Sequence, residues 1–241
     1  MKKLLLLLVA LLTGVSGAWA YDYTTFSSVK DKDGNALSDG GYYRILLPKR
    51  GASVALQKNG NYINAHDGLA IVDQIWKVEA ATDNMKVSTP SGGYWKTNSY
   101  SAGTGKVSCN GTSLDFTSWR IGVFPSGSNL YTLFDQSTTS GAKIDGVDCG
   151  WIFSNHSGKG YNMGFYNDAS DNGCALSFER FYKTTFTFVD GTGDPVSTTV
   201  KINGSLSVTE FYTNSTNQIT SFGPDGYVAT YSINDVTKTA E

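Results

Sequence analysis

The chain reads as all-β: three pseudo-repeats closing one barrel, followed by a small β-sandwich-like domain. Three observations predict this. Short alternating runs of four to eight residues are separated by Gly, Ser, Asn, Asp or Pro, the pattern of strands joined by turns. Similar openings recur at Tyr43, Val87 and Thr132, 44 and 45 residues apart. Each unit then reaches an aromatic followed by a charged residue, at Trp76-Lys77, Trp119-Arg120 and Phe178-Glu179. One such unit cannot bury its own apolar face, whereas three around a pseudo-threefold axis close a barrel with few free edges. That architecture is a β-trefoil.

Taken in order, residues 1–20, "MKKLLLLLVALLTGVSGAWA", have the layout of a secretory signal. Lys2 and Lys3 form the charged start, Leu4 to Leu12 the apolar core, and Ala18-Trp19-Ala20 a small-x-small cleavage site. The apolar run is too short for a stable bilayer-spanning helix. The expected mature chain starts after Ala20 and is exported, extracellular or periplasmic, in a bacterial setting. Residues 21–40 are polar and turn-rich, and read as a leader or linker.

The trefoil is expected over 41–182. Its first unit has strand runs at 42–47, 52–56 and 70–79, and its second at 84–88, 93–98 and 118–124. The third has runs at 130–135, 142–146, 149–154, 161–167 and 175–182. From opening to aromatic the counts are 33, 32 and 46, so the third unit carries an insertion of about a dozen residues within 150–172. Pro48, Pro90 and Pro125 fall between runs, where a missing N–H is tolerated. Because Trp76, Trp119 and Phe178 recur at one place in each unit, they are expected to be core plugs. Residues 183–241 alternate at Phe186, Phe188, Val196, Val200 and Ile202, broken by Gly193-Asp194-Pro195. They read as a small separate β domain.

Composition narrows the function. Without Lys2 and Lys3 the chain holds 17 basic and 21 acidic residues, a net charge of −4 with no basic block. Nucleic acid and an anionic membrane surface are therefore not expected as partners, and with no second long apolar run membrane insertion is not expected either. Cys109, Cys149 and Cys174 match no zinc or disulfide framework; the alternatives are small buried hydrophobes or one disulfide. His66 and His156, the chain's histidines, sit in loop-like polar surroundings. No His-Glu-x-x-His, Gly-x-Ser-x-Gly or Cys-x-x-Cys occurs in the mature chain, so neither an enzyme nor a cofactor is expected. Asp31, Asp33 and Asn35 imitate a calcium loop, but Ala36 and Tyr42 stand where Gly and Glu are required. A polar turn is the better reading.

The stretch "DQIWKVE" resembles the Gln-x-Trp motif of ricin-B-type β-trefoil lectins. Gln74-Ile75-Trp76 match it; Thr117-Ser118-Trp119 and Leu176-Ser177-Phe178 are degenerate. The resemblance covers about 41–182 and implies glycans or glycoconjugates as partners. In that family an Asp follows a Gly-rich turn on the second strand, and Asp145 stands at the matching place. Units one and two offer Leu56-Gln57 and Lys96-Thr97 there, and so depart from the pattern. A sugar site needs a flat aromatic for the pyranose C–H face and an Asp or Asn for vicinal hydroxyls. Trp151, Asn155, Tyr161, Tyr166 and Asn167, in the inserted region, supply those types. The expected function is a non-catalytic carbohydrate-binding module. The alternative is an adhesion or spacer module, or an accessory part of a larger secreted hydrolase, without a sugar site. A loop-based protease inhibitor ranks third. Residues 183–241 resemble the Ig-like or mucin-binding-like spacers of bacterial surface and secreted proteins.

Overall fold

The computed structural model describes residues 22–68, 72–99, 106–135, 143–144, 147–148, 151–154, 161–166, 168–189, 195–196, 200–202, 206–208, 210–213, 228–233 and 236–240. Among them regular structure is β-strand, with 3-10 turns at Phe26–Ser28, Val72–Gln74 and Asn172–Cys174.

A short strand β1 (Tyr23–Thr24) precedes the first unit, which comprises β2 (Gly41–Leu46), β3 (Val54–Asn59), β4 (Tyr62–Asp67) and β5 (Ile75–Ala81). The second comprises β6 (Asn84–Ser88), β7 (Tyr94–Ser99), β8 (Lys106–Gly111) and β9 (Trp119–Val123). The third opens with β10 (Tyr131–Asp135), continues through β11 (Lys143–Ile144), β12 (Val147–Asp148), β13 (Trp151–Phe153), β14 (Tyr161–Asn162) and β15 (Gly164–Tyr166), and ends in β16 (Ser177–Val189).

The first and last strand of each unit form the barrel wall. Around the ring, Tyr43 pairs with Trp76, Val78 with Val87, Met85 with Trp119, and Ile121 with Leu133. Tyr131 and Leu176 then exchange backbone bonds of 2.9 and 2.8 Å, and Phe178 pairs with Ile45 to close the circle. The inner strands form hairpins, β3–β4 and β7–β8, with β13–β15 in the third unit. Two barrel strands and one hairpin per unit, repeated three times around a closed ring, define the β-trefoil.

Alternation directs the core inward. Trp76, Trp119 and Phe178 are all 0% exposed, so the recurring aromatics are core plugs, as their spacing implies. Trp95, on β7, stands between two of them. Its ring meets Trp76 edge-on at 5.0 Å and Trp119 edge-on at 6.2 Å, and Trp119 stacks on Phe165 at 6.4 Å. Edge-to-face and offset contacts of this kind suit the ring quadrupoles.

Residues 22–40, read from sequence as leader, contribute Phe26, Val29 and Leu37 to this core, and β1 pairs with β9. Their backbone also satisfies two barrel phenols: Lys30 N–H donates to Tyr131 Oη (2.8 Å) and Ser38 N–H to Tyr43 Oη (2.7 Å). The turn itself is organised by Asp31, which is fully buried. Its Oδ1 accepts from the Asp33 and Asn35 amides and its Oδ2 from Arg180 Nε at 3.0 Å. The resemblance to a calcium loop therefore ends in a polar turn whose carboxylate is already engaged by amides and a guanidinium.

Past Phe181, β16 runs on without a break and pairs with β17 (Pro195–Val196), β20 (Glu210–Thr213) and β21 (Val228–Ile233). β18 (Val200–Ile202) pairs with β19 (Leu206–Val208), and β21 with β22 (Val236–Ala240). Cys109 and Cys174 are free buried thiols. Among the described residues there is no disulfide. Burial pushes both thiols above the ordinary range, Cys174 well above it.

Candidate functional site

In the first two units, the residue two places before the core aromatic ties the hairpin to the barrel. Gln74 is fully buried, and its Nε2 donates to Gly68 O at 2.7 Å and to Gln57 Oε1 at 3.2 Å. Thr117 takes this role in unit two. Its Oγ1 accepts from the Thr97 amide at 2.8 Å and donates to Thr97 Oγ1 at 3.1 Å. Gln57 and Thr97 occupy the hairpin places where a lectin-type unit carries its Asp, and both are taken up by these internal bonds. In unit three the matching position is Leu176, which has no side chain able to make such a bond and whose backbone exchanges hydrogen bonds with Tyr131.

Unit one also holds a buried amide cluster that the sequence did not reveal. Asn64 on β4 lies opposite Gln57 on β3 and Asn162 on β14. Asn64 Oδ1 and Gln74 Oε1 are buried without a hydrogen-bond partner among the described residues. Burying such acceptors is costly unless water reaches them.

The third unit differs by its insertion. β13 pairs with β10 at Trp151–Phe134 and with β15 at Trp151–Tyr166. Two of the three aromatic positions expected at the site, Trp151 and Tyr166, are thus direct cross-strand partners. Tyr166 is half-buried and packs on Phe134, Ala169 and Cys174. The loop after β15 is built from polar bonds. Asp171 caps the Asn172–Cys174 turn by accepting from the Gly173 amide at 2.7 Å, and it also accepts from Arg50 Nη2 at 3.1 Å. Arg50 in turn holds Ser154 O at 3.1 and 2.8 Å, tying the loop after β2 to unit three. Tyr161 lies on β14, which pairs not with its neighbours in sequence but with Ala65 of unit one. Asp145, Asn155 and Asn167 lie outside the described residues, as does His156. The structure thus pairs Trp151 with Tyr166 and places Tyr161 on another edge.

His66 is half-buried, with Nδ1 3.3 Å from Gly68 O. Among the described residues, no three His, Cys, Asp or Glu side chains are grouped so as to hold a metal ion. No described helix is long and apolar enough to cross a membrane.

No protein-family model matches the chain, and no curated protein sequence matches it. Several solved structures are similar, two of them a lectin and a designed protein. One is a ricin B-like lectin of Macrolepiota procera in complex with lactose: 16% identity, TM-score 0.47, over 60% of this chain and 98% of that one. The other is ThreeFoil, a designed threefold-symmetric protein: 16% identity, TM-score 0.44, over 57% and 97%. The strand pairings define the class without them. The chain is a β-trefoil module that resembles the ricin-B type, with Gln-x-Trp retained in the first unit and degenerate in the others.

Proposed function

We propose that the chain is an exported, non-catalytic carbohydrate-binding module that engages glycans through its third unit. Asp145 accepts from a sugar hydroxyl, and Trp151 or Tyr166 stacks on the pyranose face, with Asn155, Tyr161 and Asn167 at the border of the site. The observation that carries the reading is Tyr166: half-exposed, and directly across the β-ladder from Trp151. Units one and two support it by contrast, because their matching hairpin residues are bonded to Gln74 and Thr117. Export follows from the signal layout of residues 1–20, with cleavage after Ala20. Residues 183–241 then form a small spacer module carried on β16. The test is a glycan array followed by calorimetry. Binding by the wild type, lost in Asp145→Ala at an unchanged unfolding midpoint, supports the proposal. Silence of the wild type across a broad array overturns it.

A further inference from the structure

On the outer wall of unit two, two half-exposed rings stand side by side. Tyr94 and Phe116 have centroids 5.7 Å apart and planes inclined by 40°. Lys86 holds its ammonium 5.7 Å from the Tyr94 ring centre and 5.6 Å from that of Phe116. Beside them, at the tip of the Thr112–Asp115 turn, Leu114 is 96% exposed.

Three lysines, Lys77, Lys86 and Lys96, stand around this platform with the carboxylates of Glu79 and Asp115, and Asp39 Oδ1 accepts from the Ala80 amide beside them. Glu79 lies across the ladder from Lys86, yet its Oε1 accepts from Lys77 and its Oε2 from the Tyr94 phenol, both at 3.1 Å. Asp115 is paired with Lys96. Lys86 is thus the one lysine of this group left without a carboxylate among the described residues, held instead over the two rings.

From this we infer a second ligand site, on unit two, for a sugar ring bearing a single carboxylate: a uronic acid residue of an acidic polysaccharide. The C–H face of the pyranose packs against Tyr94 and Phe116, and its carboxylate meets Lys86. A neutral sugar leaves the ammonium unanswered. A dianion meets repulsion from Glu79 and Asp115, whose own lysines are already committed. The site rests on the general carbohydrate-binding reading but not on unit three, since it shares no residue with the Asp145 site.

The experiment is affinity electrophoresis of the full mature chain through gels containing polygalacturonate, neutral galactan or dextran sulfate. Each variant's fold is checked by its unfolding midpoint. The wild type should be retarded by polygalacturonate, and that retardation should weaken about two- to fivefold in Lys86→Met and in Tyr94→Leu. It should be largely restored in Lys86→Arg. Asp145→Ala should leave it unchanged, so the two proposed sites fail or stand separately. The inference is overturned if polygalacturonate does not retard the wild type, or if folded Lys86→Met and Tyr94→Leu migrate like it. Retardation by dextran sulfate equal to that by polygalacturonate also overturns it, because it reports charge alone.

Discussion

Trp76 and Trp119 occupy equivalent places in the barrel and are both fully buried, yet replacing each by Phe should have unequal cost. Trp76 Nε1 donates to Leu56 O at 2.9 Å, whereas Trp119 Nε1 is buried with no partner among the described residues. Trimming indole to phenyl at either site leaves a void smaller than full truncation to Ala would, a loss of about 1–2 kcal/mol. At Trp76 the change also removes a buried hydrogen bond and strips a carbonyl of its side-chain donor, adding about 1–1.5 kcal/mol. At Trp119 it removes an unsatisfied donor, which offsets part of the packing loss. Trp76→Phe should therefore cost about 2–3 kcal/mol and Trp119→Phe about 1 kcal/mol or less. Urea unfolding followed by circular dichroism reads the difference. At a slope of about 2 kcal/mol/M, the two midpoints should lie roughly 0.5–1 M apart. Equal midpoints, or a lower one for Trp119→Phe, would refute the reasoning.

Two further outcomes follow from buried titratable groups. Burial pushes the Asp31 carboxyl up, but bonds from the Asn35 amide, Arg180 and the Asp33 amide outweigh it and hold it below its ordinary value. A lowered folded pKa gives stability that is fully present above the unfolded value of about 3.9 and lost as pH falls through the folded one. Stability of the wild type, measured by urea titration from pH 7 to pH 2.5, should therefore drop on the acid side more steeply than that of Asp31→Asn. Parallel acid limbs would contradict the assignment. Cys174, fully buried with its Sγ 3.5 Å from Asp168 O, should resist alkylation by iodoacetamide in native buffer and react once urea is added, as mass spectrometry would show.

The barrel was legible in the sequence because its strands alternate. The run at 84–88 is β6, and the opening run at 42–47 is β2 shifted by one residue. The hairpin partners β4 and β8 were not, and the polar residues of β4 explain why for that strand. It pairs with β3 on one side and with β8 and β14 on the other. Asn64 is buried between Ile63 and Ala65, but together with Asn61, His66 and Asp67 it reads in the sequence as part of a turn. The core role of residues 22–40 was hidden for a different reason: Phe26, Val29 and Leu37 are scattered through a polar, turn-rich stretch, with Lys30, Asp33 and Gly34 among the residues between them. Gln74 was visible as part of a motif, but its bonds to Gln57 and Gly68 depend on a hairpin that folds back from outside the tripeptide. At the candidate site, the insertion was legible from the count of 46 against 33 and 32. The cross-strand pairing of Trp151 with Tyr166, and of Tyr161 with unit one, was not, because register between short strands is set by tertiary contacts.

The central claim is that fold and binding reside in different residues: the recurring aromatics hold the barrel, and unit three meets the ligand. The most direct test measures affinity for the strongest neutral array glycan and the unfolding midpoint on the same two proteins, Asp145→Ala and Trp119→Phe. The account predicts opposite outcomes. Asp145→Ala loses affinity at the wild-type midpoint, and Trp119→Phe keeps affinity at a lowered one. Retained affinity in Asp145→Ala, or lost affinity in a folded Trp119→Phe, would contradict it.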